Sequence, residues 1–174
     1  DGSIPHNLII GNGSGADTVR LLQQNQIPNT ALVTINLGGV LDLNNLVEGV
    51  GTLDMTGGTV QSGTSALVLF GNSITTHASA AVSTISGTLN LAGGTTTFDV
   101  ANGGASPDLL VSAAVQGSGI IKNGPGNLQF SAANSYGGLT TINDGFILIN
   151  DPAGLGTAAA GTALNGGNLS LVGA

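Results

Sequence analysis

Hydrophobic residues alternate with polar ones along this chain in short runs that glycines separate. The pattern is clearest in residues 117–149. The alternating apolar residues of this segment are Ile120, Leu128, Phe130, Ile142, Ile147 and Ile149. Alternation is typical of a strand with one buried face, and glycines mark the turns between strands. The segment therefore predicts three strands in close succession, with no helix between them.

A related unit recurs elsewhere in the chain: a glycine, a Leu-x-hydrophobic pair, and often a Gly-Gly or Asn turn. Copies lie at 38–43, 51–58, 87–94, 126–130, 145–149 and 167–171. Their central apolar residues are unevenly spaced, and the longest intervals run from Leu53 to Leu89 and from Leu89 to Leu128. We interpret these two long intervals as two coils each, with roughly 20 residues per coil, which is typical of a solenoid.

Composition supports an all-β fold. The 174 residues include 30 Gly, many Thr, Val and Leu, and only one Glu, Glu48. In a parallel β-solenoid, inward Leu, Val and Ile stack from coil to coil, and aromatic residues are few because a narrow interior has no room for stacked large rings. About eight coils are expected at roughly 22 residues each. The alternative is a β-sandwich, for which hairpin turns at Asn12-Gly13 and Asn165-Gly166 would be the signal.

Charge excludes several classes of partner. The formal net charge is −7, and Arg20 and Lys122 are the only basic side chains apart from two histidines. Nucleic acid and anionic membrane surfaces are therefore not expected partners, and no apolar run is long enough to insert into a membrane. There is no Cys, so disulfides and thiolate metal sites are excluded. The sequence starts at Asp1 rather than Met, from which we expect a processed product or a fragment.

The segment 117–149 resembles the autotransporter-associated β-strand repeat, also called the passenger-associated transport repeat. The residues that carry the resemblance are Gly117, Gly119, Ile120, Lys122, Gly124, Gly126, Leu128, Phe130, Asn134, Tyr136, Gly138, Thr140, Ile142, Gly145, Ile147 and Ile149. Ala132 and Ser135 depart from the family pattern. A looser resemblance to segments that precede this repeat runs from Asn7 to Val100. It implies a right-handed parallel β-helix, residues 1–174 forming one module of a longer extracellular or surface protein.

Candidate sites for chemistry are few. The segment 12–19 is one glycine short of a calcium-binding nonapeptide, so Asp17 is a weak calcium candidate that lacks the tandem copies such a site needs. Asp42 and Asp54 would be a candidate pair for glycoside hydrolysis if their strands were neighbours. His6 and His77 stand alone, and no other metal site and no cofactor is expected.

Lys122 and Tyr136 have two possible roles. One is contact with a ligand. The other is structural: Tyr136 would cover the edge of a coil, and Lys122 would place its ammonium group at a turn carbonyl or a carboxylate. We favour the structural role for both residues.

Neither end of the sequence looks like a cap, because the segments 7–11 and 167–172 are both strand-like. We therefore expect continuation in a longer chain or head-to-tail self-association through open β-helix ends. The leading hypothesis is a non-catalytic structural module: a shaft, filament or surface-layer element. The alternative is an adhesin or glycan-binding segment, and the third possibility is an enzyme that acts on polysaccharide.

Overall fold

Eighteen short strands and the turns between them make up the computed structural model, which describes residues 2–172. Every strand pairing among these residues is parallel. Parallel partners need a crossover rather than a tight hairpin, so the chain winds in one direction. The fold is a β-solenoid of about seven turns, and the sandwich alternative with its two hairpins is wrong. No helix long and apolar enough to cross a bilayer occurs between residues 2 and 172.

Two long sheets run parallel to the solenoid axis. Sheet A contains, in spatial order, β1 (Leu8–Ile10), β3 (Leu32–Ile35), β6 (Thr52–Met55), β8 (Ser73–Thr76), β10 (Thr96–Val100), β13 (Ile120–Asn123), β15 (Thr140–Ile142) and β17 (Thr162–Leu164). Sheet B contains β2 (Asp17–Arg20), β4 (Gly39–Asp42), β7 (Thr59–Leu69), β9 (Ser83–Leu91), β11 (Leu109–Val111), β14 (Asn127–Phe130), β16 (Phe146–Ile149) and β18 (Asn168–Leu171).

A shorter third face completes the central coils. It consists of β5 (Glu48–Val50), the second halves of β7 and β9, and β12 (Ala114–Gly117). The residues that stack in register on this face are Glu48, Leu67, Leu89 and Val115. Each central coil therefore places one short strand on each of three faces.

Strand register shows which of the repeated units are true coil repeats. Leu128, Ile147 and Leu169 stack directly in sheet B, as expected for single coils. Leu53, however, lies in sheet A and Leu89 on the third face. The interpretation of the two long intervals around Leu89 as two coils each is therefore wrong, because similar strand sequences serve different faces.

The core consists of inward side chains stacked along the axis. One column of sheet A contains Val33, Leu53, Ile74, Phe98, Lys122 and Ile142. Phe98, Phe130 and Tyr136 are all fully buried, and the rings of Phe98 and Phe130 meet edge to face with centroids 6.0 Å apart. Phe98 and Phe130 nevertheless do not stack on other rings in register, since the neighbours of Phe98 are Ile74 and Lys122 and those of Phe130 are Val111 and Ile149.

Candidate functional site

Lys122 occupies an inward position in the core. It stacks between Phe98 in the preceding coil and Ile142 in the next, and its side chain is 0% exposed. Its Nζ donates hydrogen bonds to the carbonyl oxygens of Asn123 at 2.7 Å, Gly124 at 2.6 Å and Asp144 at 3.2 Å. The ammonium group therefore ties its own turn to the turn of the next coil, in agreement with the structural role predicted for it.

Burial lowers the pKa of Lys122 to about 8. Desolvation penalises the charged form, and the nearby charges of Asp144, Asp99 and Asp108 oppose the shift. A buried ammonium with three carbonyl acceptors has one acceptor for each of its three N–H bonds. The group is thus fully used by the protein, with no donor left for a ligand.

Gly145 makes this arrangement possible at the turn of the next coil. Its φ is +63°, a left-handed conformation that favours glycine. A Cβ at this position would lie 2.5 Å from the Gly126 oxygen, 2.6 Å from the Gly124 oxygen and 2.9 Å from the Lys122 Nζ. Glycine is required here both by the backbone conformation and by the close approach of the ammonium.

A second group of hydrogen-bonding side chains lies between the end of β14 and the start of β15. It consists of Asn134, Tyr136 and Thr140. The Oδ1 of Asn134 accepts a hydrogen bond from the Val115 N–H at 2.8 Å, and its Nδ2 donates to the Gly154 oxygen at 2.6 Å. The hydroxyls of Tyr136 and Thr140 are 2.8 Å apart. Burial raises the pKa of Tyr136, an effect that the hydrogen bond with Thr140 opposes. Tyr136 thus lies inside the coil, deeper than the edge position expected for it.

The other repeat residues act through packing. A Cβ on Gly119, Gly126 or Gly138 would collide with the backbone of a neighbouring strand or turn. Leu128 is fully buried between Leu109 and Ile147 in sheet B. The residues picked out by the sequence pattern thus lie together in two adjacent coils.

Comparison with known families agrees with this geometry. Residues 120–149 match the family model of the passenger-associated-transport-repeat. This segment is a passenger-associated-transport-repeat. Such repeats are found in autotransporter passengers, which implies a secreted or surface-exposed protein. No curated protein and no solved structure matches the chain.

Sequence reasoning missed two buried carboxylates outside the repeat that also hydrogen-bond to the backbone of other turns or coils. Glu48 is fully buried and accepts hydrogen bonds from the N–H groups of Gln26 at 2.9 Å and Ile27 at 3.1 Å. Asp108 accepts from Gly103 at 2.7 Å and Asn127 at 2.8 Å. The available signal for Glu48 was its place as the sole Glu in an apolar stretch, residues 46–50.

The carboxylates considered for catalysis are separated by the fold. Asp42 lies in sheet B and Asp54 in sheet A, so their strands are not neighbours. Asp42 forms an ion pair with Arg20, with 3.5 Å between Oδ2 and Nε. Asp54 contacts His77 at 2.8 Å. The two carboxylates therefore do not form the pair considered for glycoside hydrolysis.

Asp17 is the first residue of β2 and is exposed. Residues 2–172 contain no group of three or more His, Asp or Glu side chains that could hold a metal ion. Asp17 thus lacks the second layer of ligands that a calcium turn of this kind would need.

Proposed function

We propose that this chain is a non-catalytic shaft segment of an extracellular β-solenoid, continued by further coils in a longer chain or by head-to-tail stacking of copies. The observation that carries the proposal is the use of the buried polar groups. Glu48, Asp108, Lys122 and Asn134 all bind backbone groups of neighbouring turns or coils. Side chains that serve chemistry in enzymes serve here to join the coils.

The last described coil supports continuation of the rod. Leu164 and Leu171 continue inward columns, from Ile142 and Ile149 respectively. Leu171 is nevertheless 68% exposed. Among residues 2–172, β17 and β18 each have a strand partner on one side only. A further coil would bury this apolar surface and pair these strand edges.

Imaging of the native assembly by electron cryomicroscopy tests the proposal. We expect a continuous rod in which strands about 4.8 Å apart run past both ends of this segment. Compact particles in which this segment is a terminal lobe would contradict the shaft function.

The stacking form has its own test on the purified chain. We expect concentration-dependent end-to-end oligomers, which Leu171→Lys abolishes by placing a charge in an inward column. Ser170→Lys is the matched control, because Ser170 follows the column of Leu148 on the other face of the same strand. A wild-type chain that stays monomeric at high concentration would exclude stacking and leave covalent continuation.

A further inference from the structure

A polar groove lies along the outer face of sheet B, away from the repeat, and begins at β2, the first strand of that sheet. Four side chains from successive coils follow one line of register: Arg20, Asp42, Gln61 and Ser86. All four line the groove. Neighbouring strands lie about 4.8 Å apart, so the groove presents one polar side chain per coil along the axis.

The lip of this groove is held in a fixed conformation. Asn44 and Asn45, which also line it, have φ angles of +52° and +61°. Asn tolerates this left-handed conformation in turns. The Arg20 guanidinium donates to Asn44 Oδ1, and the Asn44 N–H donates to Asp42 Oδ1 at 2.8 Å. Preorganisation of this kind reduces the ordering cost of binding.

Other polar groups in the groove have no partner among residues 2–172. The side-chain amide of Gln61 and the Nδ2 of Asn45 make no hydrogen bond to any residue between 2 and 172. Gly63 and Gly87 line the groove beside them and add no side chain that would block it. Amide donors and acceptors therefore remain available along the floor and the lip.

We propose that this groove binds an extended, uncharged polysaccharide parallel to the solenoid axis. A pyranose ring in an extended glycan is about as long as the spacing between coils, so successive sugars would meet successive side chains. Amide, carboxylate and guanidinium groups offer paired donors and acceptors that match neighbouring hydroxyls. The Arg20 charge is offset by Asp42, and the net charge of −7 disfavours polyanions. This role goes beyond that of a shaft and does not depend on it.

Nuclear magnetic resonance titration of the ¹⁵N-labelled chain tests the proposal, with cellohexaose and maltohexaose as neutral probes and hexagalacturonate as the anionic probe. We expect a neutral probe to shift the amide signals of Gln61 and Ser86. The double variant Arg20→Ala/Gln61→Ala should weaken binding by about tenfold. Gln129→Ala is the matched control, since Gln129 lies at an outward position of β14 in the same sheet and its loss should leave the affinity unchanged.

The proposal is overturned if neither neutral probe shifts these signals at millimolar concentration, or if the shifts map to another face. Tighter binding of hexagalacturonate, or equal weakening by Gln129→Ala, would also overturn it. Thermal melting of each variant verifies that the solenoid is intact. Failure of the glycan proposal is thus distinguishable from failure of the shaft proposal, which is read from the continuity of the rod.

Discussion

Glu48 and Lys122 are two charged residues of opposite sign in the core of one solenoid, and each is 0% exposed. Glu48 lies in an early coil, where its carboxylate accepts from two N–H groups of the preceding coil. Lys122 lies in the repeat, where its ammonium donates to carbonyls of its own turn and of the next coil. A buried charge is costly unless it is hydrogen-bonded, so both are tolerated for the same reason.

The difference between the two regions lies in which backbone groups lack strand partners. In the coil that precedes β5, Gln26 and Ile27 do not belong to a strand. Their N–H groups therefore need an acceptor other than a strand partner. At the turns near Gly124 and Asp144 the carbonyls need a donor. Buried backbone groups are almost always paired, and the sign of the core charge follows from which kind is left over.

The largest effect is expected when Glu48 is removed. Glu48→Ala leaves the N–H groups of Gln26 and Ile27 without their acceptor, and should lower the free energy of unfolding by about 2–4 kcal/mol. Urea denaturation measures the loss. Hydrogen exchange should show it first in the early coils, because solenoid contacts are local.

Glu48→Gln is the matched control for this prediction. It keeps one side-chain oxygen as an acceptor, and should therefore cost less than the alanine variant. Equal losses in the two variants would mean that the carboxylate oxygens do not hold the early coils together.

The second prediction concerns the turn that brings carbonyls to Lys122. Gly145→Ala should lower the free energy of unfolding by about 1–3 kcal/mol, because the added methyl group meets two carbonyl oxygens and the ammonium. Gly137→Ala is the control, since the nearest atom to its Cβ is the Thr157 Oγ1 at 3.8 Å. Similar losses at both positions, measured by urea denaturation, would contradict a specific role for the Gly145 turn.

The third prediction uses pH to isolate the lysine. Because the pKa of Lys122 is lowered from 10.5 to about 8, the unfolded chain binds more protons between these values. Wild-type stability should therefore rise with pH across this window. Lys122→Met leaves three carbonyls without a donor and should lower the free energy of unfolding by about 1–2 kcal/mol at pH 7. The stability of this variant should not show the rise with pH.

The difference in stability between wild type and Lys122→Met should thus widen from pH 7 to pH 10 by about 1–3 kcal/mol. Urea denaturation of both proteins at each pH measures this difference. The contributions of the other titrating groups are the same in the two proteins and cancel in the difference. Parallel pH profiles for the two proteins would show that the ammonium is not desolvated in the folded state.

The sequence allowed prediction of Lys122 but not of Glu48, for a physical reason. Lys122 stands in a spaced set of glycines and apolar residues that the family match confirms for residues 120–149. Glu48 has no such frame, and its role depends on Ile27, which lies in a turn of the preceding coil. Alternation predicted the strands, because inward and outward positions follow the period of a strand. Their parallel stacking was predicted from the internal repetition and the family resemblance.

Assignment of strands to faces required the structure. The units around Leu41, Leu53 and Leu89 read alike, yet they lie in sheet B, sheet A and the third face. Coil lengths also vary. The coil from Leu8 to its partner Val33 contains more residues than the coil from Val33 to its next partner, Leu53. Loops between strands absorb these differences without altering the stack, so spacing alone does not give the register.

The smallest effect is expected at the hydroxyl pair of the repeat, where the buried group is neutral. Tyr136→Phe removes the hydrogen bond to Thr140 and should cost about 1 kcal/mol at pH 7. Thr140→Val removes it from the other side, and the double variant should cost less than the sum of the two.

The pKa of Tyr136 is raised above 10.0, so the folded state keeps its proton to higher pH than the unfolded chain. Its stabilising effect is lost as pH rises above 10, the opposite sign to Lys122. Urea denaturation at pH 7 and above pH 10 measures both effects, and additive losses at pH 7 would show that the two hydroxyls do not interact.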